Sequence, residues 1–425
     1  MLTLPPSLRH RPFRNFWLGL IGAGFGAQMA SVAVGWQVYA IHRSAFDLGL
    51  IGLAEFVPLP LLALPAGQLA DRLPRGAIVA GSRIAEAIVV ALLLVVTLAG
   101  ARQLWAFVAL AALTGVTGAF GQPATRAITP EIVPGELLAG ALALRSIAFQ
   151  VATISGPAAG GLLFAIRPEA VYAVALVLLA ASGVLMLAVP VPRASARGEV
   201  PRLESLLLGI RFIRATPILL GAITLDLFAV LFGGAVALLP LYARSILHTG
   251  PFGLGVLRSA TAIGALAAGI MLTHRPLGGR AGRTLFISVG IFGASIIVFG
   301  VSRWFPLSFA ALAVSGFVDM LSMNIRSTAS ALATPNELRG RVNAVEGVFI
   351  SASNELGAFE SGMAAALLGA TPAVVLGGAM TVVLAVVWGR LFPPLAQVDR
   401  LEEVRPGSSA ASERTTRRAA TRAHT

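Results

Sequence analysis

The chain of 425 residues contains no cysteine and no lysine, and only three tyrosines. Without cysteine it forms no disulfide, and thiol chemistry and thiolate metal sites are excluded. Without lysine it cannot carry the phosphate-binding loop of the common ATPases, which excludes an ATP-driven pump of that type. Charged residues make up 12% of the chain, against about 25% in an ordinary soluble domain. The composition therefore excludes a soluble globular protein.

Apolar residues dominate instead and make up 56% of the chain. A helix needs about 20 consecutive, mostly apolar residues to cross the hydrocarbon of a bilayer, and twelve such stretches alternate with short loops. The sequence therefore predicts an all-α membrane protein with twelve transmembrane helices. Their ranges are 15–41, 47–70, 76–99, 104–127, 137–165, 169–189, 217–242, 252–273, 284–302, 306–331, 343–369 and 372–391.

The arginines are concentrated at the two termini, in the central linker and in every second loop. Because the loops richest in arginine stay in the cytoplasm, both termini are predicted to be cytoplasmic, in a multi-pass protein of the inner (plasma) membrane. The net charge of +13 then reflects arginines that face anionic lipid, and no nucleic acid partner is expected. The exceptions to the pattern are Arg43, Arg102, Arg167, Arg244, Arg258 and Arg303.

The chain divides into two halves that resemble each other. The string Gly67–Asp71 after helix 2 corresponds to Gly269–Thr273 after helix 8, and Pro134–Leu137 corresponds to Pro335–Leu338 at nearly the same spacing. These correspondences predict a duplicated six-helix unit, an arrangement in which transporters rock two halves about a midplane site. The predicted segments are a cytoplasmic N-terminus (1–14), a six-helix bundle (15–189), a linker with an amphipathic helix (190–216), a second bundle (217–391) and a disordered basic tail (392–425).

The loop after helix 2 reads Gly-Gln-Leu-Ala-Asp-Arg-Leu-Pro-Arg-Gly from Gly67 to Gly76. It resembles the corresponding loop of the major facilitator superfamily, with proline in place of the second glycine and glycine in place of the last basic residue. The resemblance implies two pseudo-symmetric six-helix bundles, with Gly67, Asp71, Arg72 and Arg75 as a latch of the outward-facing state. An aspartate can face a helix N-terminus, and arginines can bridge to acids or lipid phosphates. The alternative interpretation is an ordinary charged turn.

A second motif lies in helix 5 and reads Gly-Pro-Ala-Ala-Gly-Gly from Gly156 to Gly161. It resembles the antiporter motif of the superfamily, although Ala152 replaces the glycine usually found upstream. Pro157 would bend the helix, and Gly156, Gly160 and Gly161 would let helix 8 approach closely. The resemblance implies export, whereas the alternative is a general packing face of small residues.

Two further segments point to one branch of the superfamily. Ser205–Ile213, at the entry to helix 7, and Arg339–Asn343 resemble the branch that includes enterobactin exporters and macrolide efflux proteins. The similarity extends to about residue 392. It implies family membership but not a particular substrate.

Acids within the spans are the candidate proton carriers, because a carboxylate costs a few kcal/mol at the bilayer centre. Asp319 lies near the middle of helix 10 and Asp226 on the inner side of the middle of helix 7. Helices 1, 4, 7 and 10 line the cavity in the resembled fold, so both acids are expected there. The alternative is that each acid is satisfied structurally, for example by Ser322 or Asn324.

A second group contains Glu55, Glu355, Glu360 and, on helix 8, Arg258. The acids are further proton-coupling candidates, and Arg258 is predicted to pair with one of them in a gate near the outer side. A desolvated ion pair contributes little net stability, so we interpret this pair as a conformational switch and not as a structural brace. The predicted contacts to substrate, chosen as sparse polar groups among aromatics and methionines, are Gln28, Trp36, Gln37, Gln122, Phe228, Phe232, Met320, Met323 and Asn324.

These observations lead to one preferred function and two alternatives. The preferred function is a proton-coupled exporter of a hydrophobic or amphipathic small molecule, such as a drug or siderophore. An uptake symporter of the same fold and a non-transporting receptor are the alternatives. No enzyme activity, cofactor or metal is expected, because the five histidines lie in loops or tails. By analogy with the fold, the chain is expected to work as a monomer among lipids.

Overall fold

The computed structural model describes residues 5–191, 203–275, 279–335 and 337–403, and these residues form helices and no strand. In this described part, eleven helices are long and apolar enough to cross a membrane. The twelfth long helix, Arg339–Leu368, is not in that set, yet it packs among the others. The predicted linker residues 192–202 and the tail residues 404–425 lie outside the described residues.

The first bundle begins after a short helix at Pro6–Arg9. Its six spans confirm the predicted stretches to within a few residues, except that the second is broken. They are α1 (Arg11–His42), α2 (Ala45–Phe56, continued as Pro58–Arg72), α3 (Arg75–Leu98), α4 (Leu104–Ile132), α5 (Gly135–Ile166) and α6 (Pro168–Leu187).

A linker helix at Leu203–Ala215 leads into the second bundle, as the amphipathic pattern predicts. Short helices at Pro393–Ala396 and Leu401–Glu403 follow the last span. The spans are α7 (Pro217–Phe232, continued by short turns to Ile246), α8 (Gly250–His274), α9 (Ala281–Val301), α10 (Phe305–Ala333), α11 (Arg339–Leu368) and α12 (Ala370–Leu391).

Local chemistry explains where the helices begin and break. Prolines stand in the first turn of α6, α7, α8 and α10, where the missing N–H costs nothing. Ser44 caps α2, with its hydroxyl accepting from the backbone N–H of Asp47 at 3.2 Å. The break in α2 falls at Val57, directly before Pro58, since a proline cannot supply the next helical hydrogen bond. The α-helix of α7 ends at Phe232 before two glycines.

The spans pack as two bundles, as predicted. In the first, α1 packs on α5 and α6, and α3 packs on α4 and α6; in the second, α10 packs on α8 and α9, and α9 packs on α12. The bundles touch each other mainly through α2 with α11 and α5 with α8. This cross-bundle pairing leaves the inner faces of α1, α4, α7 and α10 free to border a central space.

The two ends of the molecule differ in how the bundles meet. We call the end that carries the N-terminus and the linker helix the terminal face, and the opposite end the far face. At the far face one hydrophobic cluster contains residues of both bundles, among them Trp36, Tyr39, Leu241 and Tyr242. Towards the terminal face each bundle has its own separate cluster. The bundles therefore meet at the far face and diverge towards the terminal face.

The ordered chain continues further past α12 than the composition predicts. Leu395 is 1% exposed, and the Asp399 carboxylate accepts from the backbone N–H of Arg280 at 2.8 Å. The backbone N–H groups of Ala281 and Gly282 also bind carbonyls of residues 398–399. Residues 393–403 thus cap the start of α9, and a disordered tail cannot begin at residue 392.

Candidate functional site

A cavity of about 930 Å³ lies between the bundles, within the range of small-molecule sites. Residues of α1 to α5 form one wall, and residues of α7 to α11 form the other. The cavity extends from Leu48 and Gly35, under the far-face cluster, to Leu20 and Arg126 near the terminal face. Its shape follows from bundles that meet at one end only.

The cavity wall carries charged groups of both signs. Arg83 and Glu86 on α3 form an ion pair of 2.7 Å with each other. These groups lie within spans, where a charged side chain costs free energy because it is removed from bulk water. Their presence therefore needs a functional or structural reason. The charged residues that line the cavity are Glu55, Arg83, Glu86, Arg126, Arg145, Arg258, Asp319 and Glu355.

Arg258 joins the two bundles near the far face. Its Nη2 donates to the Ser31 hydroxyl on α1 at 2.8 Å. No carboxylate of the described residues lies within 4.0 Å of it, although Glu55 and Glu355 act on its charge from further away. Arg258 therefore lies between the bundles, as the predicted gate requires, but its direct partner is a hydroxyl and not an acid.

Glu55 and Glu355 come from different bundles. The Oε2 atom of Glu355 lies 3.7 Å from the point where a Cβ on Gly52 would stand, one turn before Glu55 on α2. Glu360, grouped with them by sequence, does not line the cavity. Of the predicted acids on α11, only Glu355 faces the central space.

A second charged cluster links α7 and α10. The Arg326 guanidinium forms an ion pair with Asp226, and its Nη2 lies 4.0 Å from Oδ1 of Asp319. The side chains of Arg326 and Asp226 are 12% and 15% exposed, whereas that of Asp319 is 51% exposed. Asp319 lines the main cavity as well as a small void beside the cluster. The two predicted proton-carrier positions are thus brought together around one arginine.

Sequence reasoning missed the role of Arg326 because it was assigned to the cytoplasmic arginines. A signal for it exists in the spacing. Arg326 follows Asp319 by seven residues, which is two helical turns and places both side chains on one face of α10.

The structure describes the proposed latch only in part. The side chains of Gly67, Asp71 and Arg72 lie outside its described portion. Arg75 forms an ion pair with Glu131 at the end of α4. This pair ties α3 to α4 within one bundle.

The glycines of the helix 5 motif pack α5 against both bundles. A Cβ on Gly156 would lie 2.8 Å from the Cβ of Gln28 on α1, and one on Gly160 would lie 2.8 Å from the Cα of Met29. A Cβ on Gly161 would overlap the carbonyl oxygen of Pro251 on α8. The motif therefore allows close packing on α1 and on α8, which is compatible with both interpretations of it.

Two of the nine predicted substrate contacts, Gln28 and Gln122, line the cavity. Gln37 is buried between α3 and α6, with its Oε1 accepting from the Tyr172 hydroxyl at 2.8 Å and its Nε2 donating to Thr97 at 3.1 Å. Trp36 lies in the far-face cluster under the guanidinium of Arg244, 5.6 Å from the ring centroid.

The other five predicted contacts are not among the residues that line the cavity. Phe228 stacks on Phe232 at 6.3 Å and meets Trp388 of α12 at 5.5 Å, so these aromatics hold α7 to α12. Met320, Met323 and Asn324 do not line the cavity. Asp319 on the same helix does line it.

Comparisons with known proteins agree with this architecture. The family model described as "Transmembrane secretion effector" matches residues 3–411. The chain is 29% identical over 375 residues to the multidrug efflux pump Tap of Mycolicibacterium fortuitum, covering 84% of this chain and 90% of Tap. It is also 29% identical over 358 residues to the enterobactin exporter EntS of Shigella dysenteriae serotype 1 (strain Sd197), covering 81% and 82% of the two chains.

Solved structures show the same fold. The bacterial homologue of the human lysosomal transporter Spinster, in its inward-facing and unoccupied conformation, superposes with a TM-score of 0.71 at 14% identity, covering 93% of this chain and 98% of that one. An inward-facing bacterial homologue of the iron transporter ferroportin superposes with a TM-score of 0.65 at 16% identity, covering 91% and 99%. With its two bundles and central cavity, the chain belongs to the transmembrane secretion effector family of major facilitator transporters, and it is a multi-pass membrane transporter and not an enzyme.

Proposed function

We propose that this chain is a proton-coupled exporter of hydrophobic or amphipathic small molecules, acting in the inner membrane with both termini in the cytoplasm. The observation that carries the proposal is the sharing of Arg326 between Asp226 and Asp319 beside the cavity. One cation cannot neutralise two carboxylates, so the number of protons bound there changes the charge of the cluster.

The coupling follows from this charge balance. With both carboxylates ionised, the cluster of Asp226, Arg326 and Asp319 carries one net negative charge. Moving it into a closed, desolvated site would cost several kcal/mol. One proton, taken up at the half-exposed Asp319, makes the cluster neutral. A bundle movement that closes the site around the cluster is therefore favoured with the proton bound.

The proposed direction rests on the arginines and on the cavity. Arginine-rich segments stay in the cytoplasm, which makes the terminal face cytoplasmic and the cavity accessible to substrate from inside. The names of the relatives, a multidrug efflux pump and an enterobactin exporter, also support export. Protons that enter the cell through the cluster would then supply the energy.

The test is substrate-dependent proton movement in proteoliposomes, followed with a pH-sensitive dye. Enterobactin and a panel of hydrophobic drugs are added to the parent protein, to Asp319→Asn and to Asp226→Asn. A matched control is Glu169→Gln, which removes a carboxyl in the first turn of α6, outside the cavity. We expect a pH change with the parent and the control, and none with either aspartate variant.

Other outcomes separate the parts of the proposal. Flux of a compound that is unchanged in both aspartate variants would contradict proton coupling through this cluster. Accumulation in inverted vesicles identifies export, whereas accumulation only in right-side-out vesicles would identify uptake. Binding without flux for every compound would favour a receptor.

A further inference from the structure

We propose that Arg126 and Arg145 form an anion-binding subsite near the terminal mouth of the cavity, for an organic anion whose apolar body lies against Phe149. That this anion is the transported substrate rests on the proposed function. The two arginines would then select substrates by their negative charge.

The two arginines are held side by side on neighbouring helices. The Arg145 Nη1 on α5 donates to the backbone carbonyl of Arg126 on α4 at 3.1 Å. Arg126 lies four residues after Gln122, and Phe149 four residues after Arg145, so each pair shares one helix face. All four side chains line the cavity. The subsite is thus built from one face of α4 and one face of α5.

Both arginines lie inside spans, within the ranges 104–127 and 137–165 that the sequence predicts. Arg145 comes ten residues after the start of α5 at Gly135, roughly 15 Å along the helix axis. The Arg126 Nη1 lies 3.7 Å from the point where a Cβ on Gly347 of α11 would stand. The guanidinium of Arg126 therefore extends from α4 to the second bundle.

Among the described residues, neither guanidinium has an acidic partner. Within the described ranges, no carboxylate lies within 4.0 Å of Arg126 or Arg145, whereas Arg75, Arg83 and Arg326 are all in ion pairs. Two adjacent cations in a partly desolvated cavity repel each other, and a bound anion would offset both that repulsion and their desolvation. Guanidinium groups bind carboxylates, sulfonates and phosphates through paired, charge-assisted hydrogen bonds.

The surroundings indicate what is attached to the anion. Phe149 exposes 67% of its surface, one turn further into the cavity than Arg145. Gln122 beside Arg126 adds an amide. Glu355 comes eight residues after Gly347, roughly 12 Å further along α11 than the point that Arg126 approaches. An aromatic or apolar anion fits this arrangement, and a simple cation does not.

The experiment compares three probes with one aromatic body, namely 1-naphthalenesulfonate, 1-naphthalenemethanol and 1-naphthylmethylammonium. Their binding to the full-length protein in detergent is measured by calorimetry. We expect the parent to bind the sulfonate most tightly. Arg126→Gln and Arg145→Gln should each weaken sulfonate binding about tenfold or more, as for the loss of a hydrogen bond to a charged group. Binding of the neutral alcohol should be unchanged.

Three further variants test whether the effect belongs to these two arginines. Arg275→Gln removes a cation at the terminal end of α8, outside the cavity, and should leave sulfonate binding unchanged. Arg145→Lys keeps the charge but loses the paired donors, so its sulfonate affinity should lie between those of the parent and Arg145→Gln. Phe149→Ala should weaken the sulfonate and the alcohol alike, because it removes the apolar contact. Equal melting temperatures of the variants show that each is folded.

The outcomes are separable from those of the proposed function. Equal sulfonate affinity in the parent and in both arginine variants overturns the subsite, even if the protein transports neutral or cationic drugs. Arginine-dependent sulfonate binding with no flux of any compound supports the subsite and contradicts the exporter. Displacement of the sulfonate by short-chain phosphatidylglycerol, in the parent but not in the arginine variants, would assign the subsite to lipid and overturn the substrate assignment.

Discussion

Arg326 holds a buried carboxylate and stands 4.0 Å from a second one, so removing it leaves charge without a partner. We expect Arg326→Gln to lower the free energy of unfolding by about 3 kcal/mol, the usual loss when one member of a buried pair is deleted. Arg326→Gln combined with Asp226→Asn should recover a large part of this loss, because the buried carboxylate that Arg326 pairs with is then neutral and only the half-exposed Asp319 keeps its charge. Thermal or denaturant unfolding in detergent measures both.

The double variant makes that prediction decisive. If it is no more stable than Arg326→Gln alone, the ion pair is not the source of the effect. Asp226→Asn alone serves as the control, since it leaves Arg326 with Asp319 as a nearby carboxylate.

Some residues were predictable from the sequence and others were not. An acid inside an apolar span, such as Asp319 or Glu355, is recognisable because its cost demands a functional or structural reason. The arginine partner of Asp319 is not recognisable in the same way. Arg326 was grouped with the cytoplasmic arginines of the nearest loop, although it shares a helix face with Asp319. Phe228 and Phe232 do not line the cavity, and because both faces of α7 are apolar, nothing in the sequence indicates the contact between Phe228 and Trp388.

At the scale of the helix, α8 and α10 pack so closely that their contact requires glycine. A Cβ on Gly316 of α10 would overlap the carbonyl of Thr261, and one on Gly264 of α8 would overlap the carbonyl of Ala313. We expect Gly316→Ala to destabilise the protein by about 1–3 kcal/mol, as overpacking does. A lowered melting temperature would be the readout.

A matched control lies on the next helix. Around Gly290 of α9, no atom lies within 4 Å of an added Cβ, so Gly290→Ala should leave stability unchanged or raise it by up to about 1 kcal/mol. Equal effects of the two substitutions would show that backbone contact between α8 and α10 is not what Gly316 provides.

The elements themselves were largely predictable, because hydropathy and length determine which segments can cross a bilayer. The breaks in α2 and α7 were not predicted, although Pro58 and the Gly233–Gly234 pair stand at them. Both segments are apolar throughout, so hydropathy continues across a break that only backbone chemistry imposes. Helix α11 shows the opposite case, since it lies outside the most apolar set while its packing keeps it among the spans.

For the whole molecule, the orientation is open to direct labelling because the natural chain has no cysteine. Arg102→Cys introduces a single thiol in a loop at the far face, and Arg275→Cys introduces one at the terminal face. With both termini in the cytoplasm, a membrane-impermeant maleimide should label residue 102 in intact cells and residue 275 only after lysis. The reverse pattern would show that the chain is inserted the other way round.

The closed far face gives a second prediction at this scale. The Tyr39 hydroxyl meets the Ser245 hydroxyl at 2.9 Å across the two bundles. In the Tyr39→Cys, Ser245→Cys variant, a short bifunctional thiol reagent should join the bundles there and stop transport, because the far face can no longer open. Each single variant treated with the reagent is the control. Full transport after complete cross-linking would mean that the bundles do not separate at this end.

The shared cluster at the far face has a thermodynamic consequence. Opening that face would part Trp36 and Tyr39 from Leu241 and Tyr242, while the described residues of the terminal side contain no cluster common to both bundles. The resting equilibrium should therefore favour the form whose cavity is open at the terminal face, and a bias of about 1.4 kcal/mol already leaves only roughly one molecule in ten in the other form. Substitutions that weaken the cluster would then populate the rarer form. The apparent affinity for a substrate that enters from the terminal face would fall in proportion to the fraction of molecules still open at that face.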